Sequence, residues 1–252
     1  MSKPDPQIEA RAYARLAADE ARIASGSTER ITGARRTSQT LGQAWAQFWR
    51  HPSPWLIGGF LVGAVAYRSG IRDFAWTELI VPVALLVFFP VIEWVIHVVI
   101  LHWRPRKVGG VPVDSLLSRK HREHHGDPRV IPLVFIPWQV ELWVLPSYVV
   151  LALLAFPSQA GGATFLVTVG ALMFGYEWVH FLVHSDYKPR TRGFRSVWRN
   201  HRLHHYKNEH YWFTVTSAGT ADRLFGTGPD AADVATSPTV RRLHAHEEGR
   251  LS

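Results

Sequence analysis

Residues 93–125 read EWVIHVVILHWRPRKVGGVPVDSLLSRKHREHH, and residues 177–205 read EWVHFLVHSDYKPRTRGFRSVWRNHRLHH. Each stretch leaves an apolar run through two histidines, crosses a basic linker and closes on an HxxHH. The first pair is His97 and His102, the second His180 and His184; the closing triplets are His121, His124, His125 and His201, His204, His205. Nineteen positions separate His102 from His121, and seventeen separate His184 from His201. The chain therefore repeats one unit. Two similar half-sites facing one another would enclose two metals with roughly five imidazoles each.

Residues three and four apart share a helix face, so His121 sits beside His124 and His125, His201 beside His204 and His205, and His180 beside His184. His97 and His102 are five apart, and a regular helix would splay them by about 140°. They are expected to straddle a helix end, with Arg104-Pro105 finishing it. A cluster of neutral imidazoles has few uses except metal, because cationic ones packed together would repel. The other histidines, His51, His210, His244 and His246, read as surface residues, with His210 close enough to the last cluster to support it.

Outward from these motifs the chain alternates apolar and basic runs. Spans are expected at about 55–70, 79–101, 131–156 and 163–183, the first short for the ~20 residues a crossing needs. Pro82, Pro90, Pro137 and Pro146 are expected kinks, and His51-Pro52-Ser53-Pro54 an expected break. Short turns at Ser69–Trp76 and Pro157–Gly162 pair the spans as two hairpins. Residues 1–54 form a polar segment without the apolar core of a signal peptide, with a surface helix expected over Gln7–Ala24 and a loop over Ser25–Gln39. The remainder, 55–252, reads as one membrane domain, its cap at 102–130 and 184–230.

The formal charge of +8 fits nucleic-acid binding taken alone. The basic residues border the apolar runs, however, as cytosolic loops of a membrane protein do, so no nucleic-acid partner is expected. Arg104, Arg106, Lys107, Arg119, Lys120, Arg122 and Arg129 crowd the middle segment, whereas Pro157–Gly162 has no Lys or Arg. The positive-inside rule then puts both termini and every histidine cluster on the cytosolic side. The Ala/Arg-rich style and compact size suggest a bacterial inner membrane. A metal transporter or sensor would place its ligands at the bilayer midplane instead.

The chain has no cysteine, which excludes disulfides and thiolate metal sites. Imidazole suits zinc, copper, nickel and iron, so ligand type alone does not select the metal. A zinc hydrolase needs a general base and usually fewer ligands. An all-nitrogen pair of irons at a membrane surface suits activation of oxygen against an unactivated C–H bond, although zinc is possible in a purified sample.

The order HxxxxH, HxxHH, HxxxH, HxxHH resembles the fatty acid hydroxylase/sterol desaturase superfamily of membrane di-iron enzymes. The likeness runs from Trp94 to Thr227 and includes HREHHGDP at His121–Pro128, HRLHHYKNEHYWFTVT at His201–Thr216, and DRLFGT at Asp222–Thr227. It implies an all-α integral-membrane fold of four helices with a helical cytosolic cap, and ligand roles for all ten clustered histidines. It also implies O2 and two electrons as co-substrates for hydroxylating a fatty acyl or related lipid. Sterol or carotenoid oxidation and desaturation are the alternatives. With no fused haem domain and no Gly-rich nucleotide fingerprint, electrons are expected from a separate ferredoxin- or cytochrome-like donor with its reductase, docking on the basic face.

Glu93 and Glu177 are ionisable groups inside apolar runs, costly unless partnered. They are expected to accept hydrogen bonds from the ligand imidazoles His97 and His180. Asn200 is expected to bond a metal-bound water or to cap a helix. Trp94, Trp178, Trp198, Tyr206, Tyr211, Trp212 and Phe213 interleave with the histidines and would either wall an acyl channel or form an interfacial belt.

Overall fold

The computed structural model describes residues 38–244; the expected Gln7–Ala24 helix, most of the Ser25–Gln39 loop and His246 lie outside them. The fold is mostly helical. Helix α1, Leu41–Phe48, opens on a capping box in which Thr40 and Gln43 satisfy each other's backbone N–H groups. Helix α2 spans Pro52–Gly70. The two prolines expected to break the chain instead start this helix, because the first turn has no hydrogen bond for a missing N–H to lose.

Helix α3, Ile80–Val95, holds Pro90 and runs into a π-helical turn at Ile96–Leu101. A hairpin follows, Arg106–Val108 paired with Val111–Val113. Gly109 and Gly110 supply its two positive φ angles, 57° and 84°, which a two-residue turn between twisted strands requires. The middle basic segment is thus not wholly helical. Helix α4, Leu116–Gly126, is capped by Ser115 and carries HREHH.

Helix α5, Trp138–Ala155, begins after Pro137, which is its cap and no kink. Helix α6 covers Gln159–His184, starting four residues before the expected span because Ser158 caps it through the N–H of Gly161. Helix α7, Arg192–Tyr206, carries HRLHH, and the short α8 is Thr220–Leu224.

Three stretches are long and apolar enough to cross a membrane: Trp76–Leu101, Ile131–Ala155 and Gln159–His184. Pro52–Gly70 is not among them. The outer faces call for a lipid environment. Trp143 and Leu154 are each 81% exposed, and Ile80, Leu86 and Val87 point outward as well. Water would not tolerate such a belt of apolar side chains; lipid does. The protein is membrane-associated.

Helix α6 is the hub, packed against α2, α3 and α5. Small residues set those approaches. A β-carbon on Gly170 would stand 3.2 Å from Phe60, and one on Gly162 would stand 3.0 Å from the carbonyl oxygen of Ala152. At this end, Arg68 pairs with Glu78 at 2.9 Å and donates to Thr164 at 3.0 Å. At the opposite end, Ala44 and Phe48 of α1 pack with Val134, Phe135, Phe181 and Leu182. That second core braces the final turns of α6, from which His180 and His184 project.

Candidate metal centre

The π-helical turn decides where the first two histidines point. Its hydrogen bonds join residues five apart, and the N–H of His102 reaches the carbonyl of His97 at 3.0 Å. The two rings therefore lie on one side, with centroids 5.0 Å apart. The expected splay is removed because the helix absorbs one extra residue as a local bulge. In the second half, His180 and His184 are four apart on regular helix, and their centroids lie 4.9 Å apart.

All ten clustered histidines converge, in two groups of five. His97, His102, His121, His125 and His204 form one; His124, His180, His184, His201 and His205 form the other. Within each group one nitrogen per ring lies within 4.8 Å of every other. The expected count of five per group is met, but the groups are not the two sequence halves. His124 crosses to the second group and His204 to the first.

Main-chain carbonyls fix three rings. His97 Nδ1 meets Phe213 O at 2.5 Å, His204 Nδ1 meets Tyr211 O at 2.8 Å, and His125 Nδ1 meets Val240 O at 3.1 Å. A carbonyl only accepts, so each Nδ1 carries the hydrogen and each Nε2 keeps a bare lone pair. Yet His204 Nε2 lies 3.1 Å from His125 Nε2. Two lone pairs at that distance repel unless a cation lies between them.

The second group makes the same point by counting. Nε2 of His184 faces those of His124 and His201 at 3.2 and 3.0 Å, and His201 Nε2 also faces that of His205 at 3.0 Å. Each Nε2 has a single in-plane direction for a hydrogen or a lone pair, so hydrogen bonding cannot satisfy all three contacts. A metal about 2.1 Å from each nitrogen sets adjacent ligands about 3.0 Å apart and opposite ones about 4.2 Å apart. The 3.0 and 3.2 Å separations observed match adjacent ligands in that pattern.

Protonation is suppressed at these histidines. Burial pushes His102, His121, His124, His125, His201 and His205 well below the ordinary histidine value, and the neighbouring imidazoles add to it. Burial likewise lowers His204 to about 3. Neutral rings with free lone pairs are what a metal requires.

The carboxylates act one step further away than expected. Glu93 accepts from the N–H groups of Val215 and Thr216 at 2.7 and 2.8 Å, and no hydrogen bond joins it to His97. Asp222 accepts from the N–H groups of Phe213 and Thr214 at 2.8 and 3.0 Å. These two buried acids clamp residues 213–217, whose first carbonyl takes the His97 hydrogen. Between Tyr211 O and Phe213 O, Trp212 adopts a φ of 56°, a left-handed conformation that needs such support. Glu177 bonds the hydroxyl of Ser53 and, at 3.0 Å, the N–H of Ile136. The ring of His180 instead bonds the backbone of Val134. Asn200 lies against Gly219, where its amide nitrogen would be 2.9 Å from an added β-carbon, among neither histidine group.

Residues 237–244 are a second support that the sequence did not disclose. Glu209, 1% exposed, accepts from Ser237 at 3.0 Å and Thr239 at 2.5 Å. This strap delivers Val240 O to His125, and His244 bonds the carbonyl of His102 at 3.2 Å. His244 is therefore no idle surface residue. His51 stacks on Phe135 with centroids 4.3 Å apart, whereas the His210 side chain is 61% exposed.

An apolar cavity of 460 Å³ opens between α3, α5 and α6, lined among others by Leu85, Phe89, Val144, Phe165, Val169 and Tyr176. A smaller cavity shares four lining residues with it. Leu101, Leu117, Ile136 and Tyr176 line both, and the second also touches His121 and His180, one from each group. None of the seven interleaved aromatics lines the large cavity. Trp94 bonds Thr227 at 2.9 Å, Trp178 packs on Phe48, and Tyr206 stacks under Arg202 and Arg241.

A family model described as fatty acid hydroxylase matches residues 82–227, more than half of the chain. No curated protein and no solved structure matches. The matched region contains all ten clustered histidines, Glu93 and Asp222, and stops short of the 237–244 strap.

Proposed function

The chain belongs to the fatty acid hydroxylase family, within the sterol desaturase/fatty acid hydroxylase superfamily, and from that membership and the site geometry we propose that it hydroxylates a membrane lipid with O2 at a pair of histidine-held irons. The observation that carries the reading is the bare Nε2 atoms of His125 and His204, 3.1 Å apart, with a small cavity that touches both histidine groups and shares lining residues with a large apolar one.

In this reading His97, His102, His121, His125 and His204 hold one iron, and His124, His180, His184, His201 and His205 the other. Iron held there would supply activation of O2, which with two electrons and two protons would put one oxygen atom into a C–H bond and release the other as water. The chain's own residues do the rest. The carbonyls of Phe213, Tyr211 and Val240 keep three imidazoles in the ligating tautomer. The cavity takes the lipid tail directly from the bilayer, and Leu101, Leu117, Ile136 and Tyr176 form the throat that admits one carbon and excludes bulk water.

The same reading makes α2 a fourth span. Its 19 residues extend about 28 Å, close to the hydrocarbon thickness, and it lies along α6. Arg68, at the end away from the histidines, is neutralised by Glu78. The histidines and the basic linkers then form a cytosolic cap, which suits a bacterial inner-membrane enzyme with an acidic ferredoxin- or cytochrome-like donor docking there.

The test is protein purified anaerobically, loaded with iron, supplied with a reductase system and given ¹⁸O2 with candidate lipids. Near two irons per chain and label in the lipid support hydroxylation. A new double bond without label indicates desaturation. Iron content unchanged when His124 and His204 are replaced overturns the site.

A further inference from the structure

We infer that Glu141, backed by Ser53 and Glu177, is the acceptor for the hydroxyl of a neutral lipid held at the metal end of the apolar cavity. The inference rests on the oxygenase reading in treating that cavity as the substrate's. Glu141 and Ser53 are fully buried and Glu177 is 1% exposed. Ser53 Oγ lies within hydrogen-bond reach of both Oε1 atoms. A hydroxyl has one hydrogen, so it donates to one carboxyl, and the other must carry its own proton and donate to Oγ. The trio is satisfied among its inner atoms. Its outer atoms, Oε2 of Glu141 and of Glu177, have no hydrogen-bond partner among the described residues.

Buried acceptors left unmatched in an apolar setting are costly. Glu141 lines the 460 Å³ cavity, so its partner can arrive with the ligand. The lining selects the ligand's chemistry. The large cavity's lining contains no Lys, Arg or His, and its other acid, Glu93, already accepts from the N–H groups of Val215 and Thr216. A fatty acid carboxylate in the large cavity would meet Glu141 and Glu93, Lys120 lining only the smaller one. A plain hydrocarbon would leave Glu141 unmatched. A neutral hydroxyl supplies the missing donor at no charge.

Position follows as well. Ile136, whose N–H binds Glu177, also lines the throat that reaches His121 and His180. The hydroxyl therefore sits near the metals while the tail runs past Tyr148, Phe165 and Val169. The carbon oxidised lies close to the polar end of the lipid, not at its tail.

The experiment is competition against tritiated octadecan-1-ol on the metal-loaded full chain in nanodiscs, using octadecan-1-ol, its methyl ether, octadecanamide and stearate. One hydrogen bond to a buried carboxyl group predicts about a tenfold preference for alcohol over ether. Octadecanamide, whose N–H also donates, should bind better than the ether and no tighter than the alcohol; amide binding tighter than the alcohol's, ether binding equal to the alcohol's, or stearate binding tightest overturns the inference. Glu141→Leu should reduce the alcohol preference to less than twofold, and Glu141→Gln, which offers an N–H, should bring the ether level with the alcohol; a preference surviving both overturns it. If ¹⁸O2 labels none of the probes while the wild-type preference holds, the oxygenase reading fails and the binding site stands.

Discussion

His124 and His204 hold the same place in the two HxxHH motifs, and each lies in the five-histidine group of the opposite half. The two halves are thereby tied through the ligands themselves. Neither group is complete without a residue from the other half, so the site behaves as one unit and not as two independent lobes.

Replacing His204 by Ala should strip the group of His97, His102, His121 and His125 first, lowering iron from near two toward one per chain. His124→Ala should do the same to the other group. Paired with His121→Ala, His204→Ala should be non-additive in iron retention; paired with His201→Ala it should be closer to additive. Metal analysis of the single and double variants checks the pairing.

Acid should unfold the apoprotein readily. Burial holds His121, His124, His125, His201 and His205 well below 6.5 and His204 at about 3 in the fold. As pH falls below about 6.5 the unfolded chain takes up protons that the folded chain refuses. Stability is therefore present above that value and is lost below it, by about 1.4 kcal/mol per pH unit for each such histidine. Melting temperature compared at pH 7.5 and 5.5 reads this directly; an unchanged value contradicts it.

Glu93→Ala should release the 213–217 segment and, through Phe213 O, the ring of His97. A weakening of iron binding by about 10- to 100-fold is expected, with a stability loss of about 1.5–3 kcal/mol. Glu93→Gln keeps an oxygen for both N–H groups and should be milder. Iron titration and thermal melting of the two variants separate them.

Glu209→Ala should loosen the 237–244 strap and act on His125 without replacing any of the ten clustered histidines. The expected result is loss of iron from the first group with the second retained, visible as a change from paired to isolated iron in Mössbauer spectra.

Gly170→Leu should push α2 away from α6, since a single β-carbon there already stands 3.2 Å from Phe60 and 3.4 Å from Leu61. Overpacking of this kind costs about 1–3 kcal/mol. Melting in detergent should show the loss while iron content, set at the other end of the helices, stays near the wild-type level.

Most of the site was legible in the sequence because its signal is dense. Ten histidines at repeating intervals declare themselves, and spacings of three and four map directly onto helix faces. The HxxxxH spacing misled, since regular helix geometry splays it and nothing local announces a π-helical turn. The exchange of His124 and His204 was hidden for a different reason. Periodicity shows which residues share a face, but not which face of a neighbouring helix they meet. Glu93 and Glu177 were noticed as costly ions, yet their partners were misassigned. The nearest histidines in sequence already had backbone carbonyls, and the unpaired N–H groups lay more than a hundred residues away or on another segment. Val240 left no signal at all, because its contribution is a carbonyl that every residue possesses.

The strap also sets an order of events during synthesis. Val240 follows His125 by 115 residues, so α2, α3 and HREHH leave the ribosome long before the carbonyl that fixes His125 exists. Until then that imidazole can rotate and its ligating nitrogen has no set direction. On the proposed reading the first five-histidine group can take its metal only once α7, which carries His204, and the strap are in place, so chains truncated before Val240 should hold less than a full metal complement.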